Sequence, residues 1–192
     1  VRRIALVTGA VTTFCSAEQL EGANLQGPFV GDRFRPSHIA MSASQIAVAG
    51  AGGVRIIDQQ LATVRRLVPL SSGTARSTFG GLSYYKNTII FLEGHSVKQA
   101  SLAVPPVITT IAGSETRSYV DGIGLEARFN APSDVYCSGN GTLIITDSEN
   151  KRIRRMNITS RSVDTLAVQH EYYTSNKLTA NVSSRSHHRH LL

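Results

Sequence analysis

Apolar and β-branched residues occur in short runs along most of the chain, and glycine, asparagine and serine separate these runs. Three examples, each with the length of a β-strand, are SQIAVAG (44–50), NTIIFLE (87–93) and GTLIITD (141–147). No segment shows the repeat of three and four residues that marks an amphipathic helix. The pattern predicts an all-β chain of short antiparallel strands.

Four segments repeat one pattern of apolar and basic positions. They are VRRIALVTGAVTTF (1–14), VRIIDQQLATVRRL (54–67), VKQASLAVPPVITTI (97–111) and IRRMNITSRSVDTL (153–166). The second position is basic in each segment: Arg2, Arg55, Lys98 and Arg154. A β-branched residue then recurs after the bend: Val11, Val64, Ile108 and Val163. Each segment is therefore expected to form a hairpin of two strands.

The last three hairpins each follow another pair of strands. These pairs, PSHIAMSASQIAVAG (36–50), GGLSYYKNTIIFLE (80–93) and PSDVYCSGNGTLIITD (132–147), align with few gaps. Four-stranded units that recur at roughly 43 to 56 residues are typical of a β-propeller. The predicted fold is an incomplete β-propeller of about three and a half four-stranded antiparallel blades. The predicted units are a half blade at 1–16 and blades at 17–69, 70–113 and 114–168.

The opening residues allow two other interpretations. VRRIALVTGA has the basic start and apolar run of a secretory signal peptide, and it also looks like the first strand of a dinucleotide-binding fold. The second interpretation lacks the further glycines that let a backbone approach a pyrophosphate. The segment aligns without a gap to hairpins in mid-chain, so a half blade is favoured and a signal peptide is the alternative.

The third unit contains the most specific motif, TIAGSETRSYVDGIGLEARFNAPSDVYCSGNGTLIITDSENKRIRRM (110–156). It resembles the NHL-repeat β-propeller family through Asp121, Gly122, Phe129, Asn130, Pro132, Ser133, Asp147 and Asn150. The Asn-His-Leu triplet itself is absent, and Asn150-Lys151-Arg152 stands at the equivalent turn. The resemblance implies a propeller of about six blades. The missing blades would come from the rest of a longer chain or from a second copy.

The motif residues are expected to maintain the fold rather than to perform chemistry. Pro132 precedes a strand and needs no amide donor there, while glycine and asparagine permit left-handed turns. Asp147 can accept hydrogen bonds from backbone amides and so tie its strand to the turn. Cys15 and Cys137 are interpreted as buried free thiols, and a bridge between them stays open.

The chain is basic, with 20 Lys and Arg against 13 Asp and Glu and a net charge of +7. Polyanions are therefore plausible partners, and the candidate phosphate contacts are Arg2, Arg3, Arg65, Arg66, Arg152, Arg154 and Arg155. Aromatic residues make up only 6 % of the chain and tryptophan is absent, so few bases could stack. A single-stranded RNA-binding face is the alternative function. The recurring basic position is interpreted as one that solvates a strand face.

No motif for a cofactor, a catalytic group or a metal is evident, and the chain is not predicted to be an enzyme. Some NHL-like propellers are zinc-dependent peptidyl-amidating lyases, and that resemblance would require histidines on the innermost strands. The aligned positions hold His38, Gly81 and Asp134, which makes a lyase the least favoured function. His38 and Asp134 are instead candidate binding residues at the mouth of the channel.

The predicted function is a non-enzymatic scaffold that binds a protein partner through its loops, chiefly 17–35 and 114–131. Three N-glycosylation acceptor sequences begin at Asn140, Asn157 and Asn181, and they favour an extracellular or cell-surface location. No apolar run approaches the roughly 20 residues of a membrane helix. Residues 169–192 are polar and are expected to form a flexible tail.

Overall fold

The computed structural model describes residues 2–4, 11–13, 36–50, 53–61, 63–68 and 79–168. These residues are almost entirely extended, with two short 3-10 turns, Gly124–Glu126 and Ser148–Asn150. The described strands are β1 (Arg2–Ile4), β2 (Val11–Thr13), β3 (Pro36–Met41), β4 (Gln45–Gly50), β5 (Gly53–Asp58), β6 (Val64–Val68), β7 (Phe79–Tyr85), β8 (Thr88–Glu93), β9 (Ser96–Ser101), β10 (Ile108–Gly113), β11 (Gly122–Ile123), β12 (Asp134–Cys137), β13 (Thr142–Asp147), β14 (Arg152–Asn157) and β15 (Ser162–Val168).

The strands form three antiparallel sheets and one separate hairpin, β1–β2. The first sheet is β3-β4-β5-β6 and the second is β7-β8-β9-β10. The third is β12-β13-β14-β15, with the short β11 added beyond β15. Within each sheet the four main strands lie side by side in chain order, as they do in a propeller blade. The predicted all-β class and the partial propeller are confirmed.

The pairing register repeats from unit to unit. On the inner strand pairs the equivalent partners are Ile39↔Val48, Leu82↔Phe91 and Val135↔Ile145. On the outer pairs they are Ile4↔Val11, Ile57↔Val64, Ala100↔Ile108 and Met156↔Val163. These are the positions that the sequence alignment brought together. The opening segment is thus a hairpin with the register of its mid-chain counterparts.

Successive sheets bury two apolar interfaces, and the second sheet contributes to both. Ile89 and Phe91 of β8 pack towards the first sheet, in a cluster that includes Ile56 and Leu67. Their neighbours Ile90 and Leu92 belong to the cluster with the third sheet. Successive side chains of a strand point to opposite faces of the sheet, and here both faces are covered by a neighbouring sheet. For this reason β8 has apolar residues at all four of these consecutive positions.

The innermost strands of the second and third sheets, β7 and β12, run in the same direction and approach closely. Gly81 donates its backbone N–H to the carbonyl of Ser133 at 2.9 Å. A Cβ atom at Gly81 would lie 1.9 Å from an oxygen of Asp134 and 2.7 Å from its Cα. Glycine is required here because its neighbour occupies the space of a side chain.

The left-handed turn positions differ from the expected ones. Positive φ angles occur at Ala131 (45°), Lys151 (52°) and Gly124 (54°), not at the motif residues Gly122, Asn130 and Asn150. The Asn150 side chain acts instead through hydrogen bonds, from Nδ2 to the carbonyl of Ser118 at 2.9 Å and to Asp147 at 2.8 Å. Asn150 therefore contributes to its turn through side-chain hydrogen bonds rather than through a left-handed backbone.

The turns of the second and third sheets lie at two ends. One end, the loop end, carries the turns 94–95 and 148–151 and the start of the connection 114–131. The other end, the hairpin end, carries the turns 86–87, 102–107, 138–141 and 158–161. Cys15, the loop 17–35, Asn181 and the predicted tail 169–192 lie outside the described residues, and the division of the chain into units stays a prediction.

Candidate binding surface

Residues 114–131, here called the wedge loop, connect the second sheet to the third. The loop pairs with the outer edge of β15 through Gly122↔Val163 and Ile123↔Ser162. Gly124 then donates its N–H to the carbonyl of Arg161 at 2.9 Å. Farther on, Ala127 and Phe129 are fully buried in the apolar cluster between the two sheets. The wedge loop is thus anchored to the fold along its length.

The guanidinium of Arg154 joins the wedge loop to the third sheet. One of its terminal nitrogens, Nη1, donates to Asp147 at 2.8 Å and to the carbonyl of Arg128 at 3.0 Å. The other, Nη2, donates to Asp121 at 2.7 Å and to the carbonyl of Val120 at 2.9 Å. Arg154 and Asp147 are both 0 % exposed. A rigid planar group thereby connects three points of the loop to one strand.

The carboxylate of Asp147 organises the neighbouring backbone. Its Oδ1 accepts the N–H of Asn130 at 2.8 Å, and its Oδ2 accepts from Asn150 and Arg154. The expected role of Asp147 as an acceptor of backbone amides is thus seen, although the amide comes from the preceding loop. The guanidinium of Arg152 covers the ring of Tyr119 with its carbon 3.8 Å from the centroid, so it holds the loop from outside.

The wedge loop carries four apolar or aromatic side chains that are exposed. Tyr119, Val120, Ile123 and Leu125, here called the wedge surface, are 39 %, 43 %, 60 % and 59 % exposed. Exposed Glu115, Arg117 and Glu126 lie on the same loop. Large apolar side chains with charged neighbours, on an anchored backbone, are suited to protein recognition.

In the three repeats whose side chains the structure describes, the recurring basic position does not solvate a strand face, and for these the expectation is wrong. Arg55 is 3 % exposed and Arg154 is 0 % exposed. Lys98 forms an ion pair with Glu93 at 2.5 Å, with the two side chains 25 % and 8 % exposed. Arg154 is therefore enclosed by protein and cannot contact a nucleic-acid phosphate in this structure. Glu93 and Asp147, the last residues of β8 and β13, are the acidic partners.

The other candidate arginines with described side chains lie on two different sheets, while the side chains of Arg2 and Arg3 lie outside the described part of the structure. Arg65 and Arg66 lie on the first sheet, where Arg65 donates to the carbonyl of Leu102 at 2.9 Å. Arg152 and Arg155 lie on the third sheet, with the second sheet between. Arg152 donates to the carbonyl of Asn150 at 2.8 Å. The exposed Arg155 pairs with Asp164 at 2.7 Å, and this hydrogen bond raises the pKa of Arg155.

His38 and Asp134 lie on the inner strands of the first and third sheets, so they are separated by β7. The ring nitrogen Nδ1 of His38 is 2.9 Å from the hydroxyl of Ser37. Asp134 is exposed and accepts the N–H of Val135 at 2.9 Å. Among the described residues no group of three or more His, Cys, Asp or Glu side chains is placed to hold a metal ion. None of the described hydrogen bonds or ion pairs joins His38 to Asp134, and their role as binding residues at the mouth of the channel stays a prediction.

A contact that the sequence did not reveal joins the second and third sheets at the loop end. Ala131 donates its N–H to Nδ1 of His95 at 3.0 Å. His95 lies in the turn between β8 and β9, and nothing in its local sequence indicates a partner 36 positions away. Cys137 is a buried free thiol, and burial raises its pKa. Over the part of the chain that the structure describes, no helix has the length and apolarity to cross a membrane.

Solved structures with a similar fold include a protein of unknown function from Bacteroides thetaiotaomicron. It is 16 % identical, has a TM-score of 0.63, and the match covers 85 % of this chain and 40 % of that one. An auxiliary nutrient binding protein from the same species is 18 % identical with a TM-score of 0.50, over 64 % of this chain and 33 % of that one. A nidogen/laminin complex matches at 14 % identity and a TM-score of 0.43, over 85 % and 70 %.

No protein-family model matches the chain, and no curated protein matches it either. This chain spans less than half the length of the first two structural neighbours. At these levels of identity the similarity shows the propeller fold.

Proposed function

We propose that this chain is a non-enzymatic binding scaffold of the NHL-repeat type, and that it binds a protein partner through the wedge surface. The observation that carries the proposal is the contrast within the wedge loop. Its backbone is held by the buried Arg154–Asp147 pair, whereas Ile123 and Leu125 are more than half exposed. An ordered loop with exposed apolar side chains has little conformational entropy to lose when it binds.

The NHL assignment is supported by the roles of the motif residues. Asp121, Asp147 and Asn150 all belong to the hydrogen-bond network around Arg154. Phe129 packs beneath it, with the carbon of the Arg154 guanidinium 5.0 Å from its ring centroid. The residues that carry the resemblance thus act together to fix one loop.

The composition of the wedge surface favours a protein over a nucleic acid. An apolar centre that includes an aromatic side chain, with polar and charged residues at its rim, is the usual arrangement of a protein interface. Phosphate binding requires accessible cations, whereas Arg65 and Arg155 already donate to acceptors of the protein itself.

The test is a crosslinking pull-down from the source cells with the wild type and the variant I123D/L125D. Both side chains are solvent-exposed, so we expect the variant to fold with an unchanged circular-dichroism spectrum. We expect it to lose a partner that the wild type retains, by tenfold or more, because two charges would be buried in an apolar contact.

The matched control is Leu61→Asp, which places a charge on a residue that is even more exposed but lies in the β5–β6 turn of the first sheet. It should retain the partner. Equal loss in both variants, or no protein retained by the wild type, would contradict the proposal. Filter binding of RNA at low and high salt checks the alternative, since salt-sensitive retention would favour RNA.

A further inference from the structure

Two of the N-glycosylation acceptor sequences lie side by side at the hairpin end of the third sheet. Asn140 is in the turn between β12 and β13, and Asn157 ends β14 immediately before the next turn. Thr142 and Asn157 are direct cross-strand partners. Ile158 also donates its N–H to the carbonyl of Gly141 at 3.0 Å. Segments that are 17 positions apart in sequence therefore form one local surface.

Both acceptor sequences adopt the same turn geometry. Thr142 donates its backbone N–H to Oδ1 of Asn140 at 3.1 Å. Thr159 does the same to Oδ1 of Asn157 at 2.9 Å. Each asparagine is thus held next to the hydroxyl residue that its acceptor sequence requires, in an Asx turn. Two separate turns show the arrangement, so it is not a peculiarity of one loop.

The amide nitrogens of these residues differ from that of Asn150. Asn140 and Asn157 are exposed, and their Nδ2 atoms donate to no described residue, while Nδ2 of Asn150 makes two hydrogen bonds. A substituent attached to Nδ2 of Asn140 or Asn157 would therefore displace water and would break no hydrogen bond to a described residue. At Asn150 it would break the network that holds the wedge loop.

We propose that Asn140 and Asn157 both carry N-linked glycans. In the modification, Nδ2 forms a bond to the anomeric carbon of an oligosaccharide carried on a polyprenyl diphosphate. The glycosyl–phosphate C–O bond breaks, the polyprenyl diphosphate leaves with the electron pair, and Nδ2 loses one proton. The inference is independent of the proposed binding function and places the chain in a secretory compartment.

The experiment is expression of the full chain behind a cleavable secretion leader in cultured eukaryotic cells. All proteins carry Asn181→Gln, so that only the two described sites can react. Glycans are counted by gel mobility before and after enzymatic deglycosylation, and sites are assigned by mass spectrometry of the resulting Asn-to-Asp change. We expect two glycans on the parent, one on either N140Q or N157Q, and none on the double variant. A parent with one glycan or none would overturn the proposal.

A second measurement tests whether the native fold accommodates the sugars. Removal of both glycans from the secreted parent should leave its thermal unfolding midpoint nearly unchanged, since Nδ2 makes no contact in the fold. Arg152→Thr creates an acceptor sequence at Asn150 and serves as the control, in which we expect deglycosylation to raise the midpoint. A large rise on removing the glycans from Asn140 and Asn157 would show that these sites are not displayed by the native structure and would overturn the inference.

Discussion

The third unit and the second unit use the same repeat position in different ways. In the third, Arg154 is completely buried and contacts Asp147 of β13 together with one carboxylate and two carbonyls of the wedge loop. In the second, Lys98 contacts Glu93 and remains a quarter exposed. Each cation is the third residue of the third strand of its blade, and each acid is the last residue of the strand beside it.

The difference teaches how one repeated ion pair can acquire an additional role. A guanidinium has five donors in a fixed plane, so it can serve a carboxylate and a loop at the same time. An ammonium is a compact charge on a flexible stem and cannot fix several acceptors in one geometry. In the first unit Gly50 stands where the acid would be, although Arg55 is still buried. Among the described residues, the network that joins this ion pair to a connecting loop is seen in the third unit.

The largest expected effect comes from removing the buried cation. Arg154→Met should lower the free energy of unfolding by about 3–5 kcal/mol, because Asp147 would be left charged and buried without its partner. Urea unfolding followed by circular dichroism measures the change. Arg155→Met at the next position should have no measurable effect, since its ion pair with Asp164 is in water.

The double variant Arg154→Met with Asp147→Leu distinguishes a lost ion pair from lost packing. It should recover part of the stability, because no unpaired charge remains in the interior. Equal destabilisation by Arg154→Met and Arg155→Met would show that burial of Arg154 contributes nothing and would remove the basis of the comparison.

The next largest effect concerns the contact between β7 and β12. Gly81→Ala should cost about 1–3 kcal/mol, because the added methyl group would overlap Asp134 and its backbone. Gly139→Ala is the control, since a Cβ atom there would meet nothing within 4 Å. Thermal unfolding of both variants separates this steric effect from the general effect of replacing glycine, and similar midpoints would contradict the close approach of the two strands.

A smaller effect is expected in the second unit. Lys98→Met should cost about 1–2 kcal/mol, less than Arg154→Met, because Lys98 is partly exposed and water reduces the strength of its pair with Glu93. The same urea experiment measures it. If Lys98→Met lowered the free energy of unfolding as much as Arg154→Met does, the difference in solvent exposure between Lys98 and Arg154 would not determine the strength of their ion pairs.

The smallest expected change in stability at neutral pH comes from replacing Tyr84, which lies on β7, and its contribution is measured through the pH dependence of unfolding. Burial raises the pKa of Tyr84 to about 12, so the folded state holds the phenol proton more tightly than the unfolded state does. The resulting stabilisation is fully present below pH ~10, the value for the unfolded chain, and is lost as the pH rises towards about 12. Unfolding in urea at pH ~9 and pH ~11 should show this loss in the wild type and a smaller one in Tyr84→Phe. An equal loss in both would contradict the shift.

The repeat and its pairing register could be predicted from the sequence because both depend on the pattern of apolar and polar residues along each strand. Pairs such as Ile39↔Val48 and Val135↔Ile145 follow once the apolar positions are aligned. A slip by one residue would move every apolar side chain of a strand to the wrong face. The fold class follows from the same constraint, since each sheet has to bury both of its apolar faces.

The location of the charges could not be predicted in this way. A basic residue at the second position of each repeat gives the same pattern in the sequence whether its side chain faces water or an acidic side chain of the adjacent strand. Only the structure shows Glu93 and Asp147 beside it, and Arg154 was therefore wrongly assigned to the surface. The bond from Ala131 to His95 depends on how two sheets are placed, which no local pattern contains.

The second sheet has apolar neighbours on both sides, and this limits how such a chain can change length. If one residue were inserted into β8, Ile89 and Phe91 would exchange directions with Ile90 and Leu92, and two interfaces would be mispacked at once. Insertions in the middle of a blade are therefore excluded during evolution, whereas turns such as 102–107 can grow freely. A protein built in this manner gains size by copying whole blades, and it gains new contacts through the segments between them.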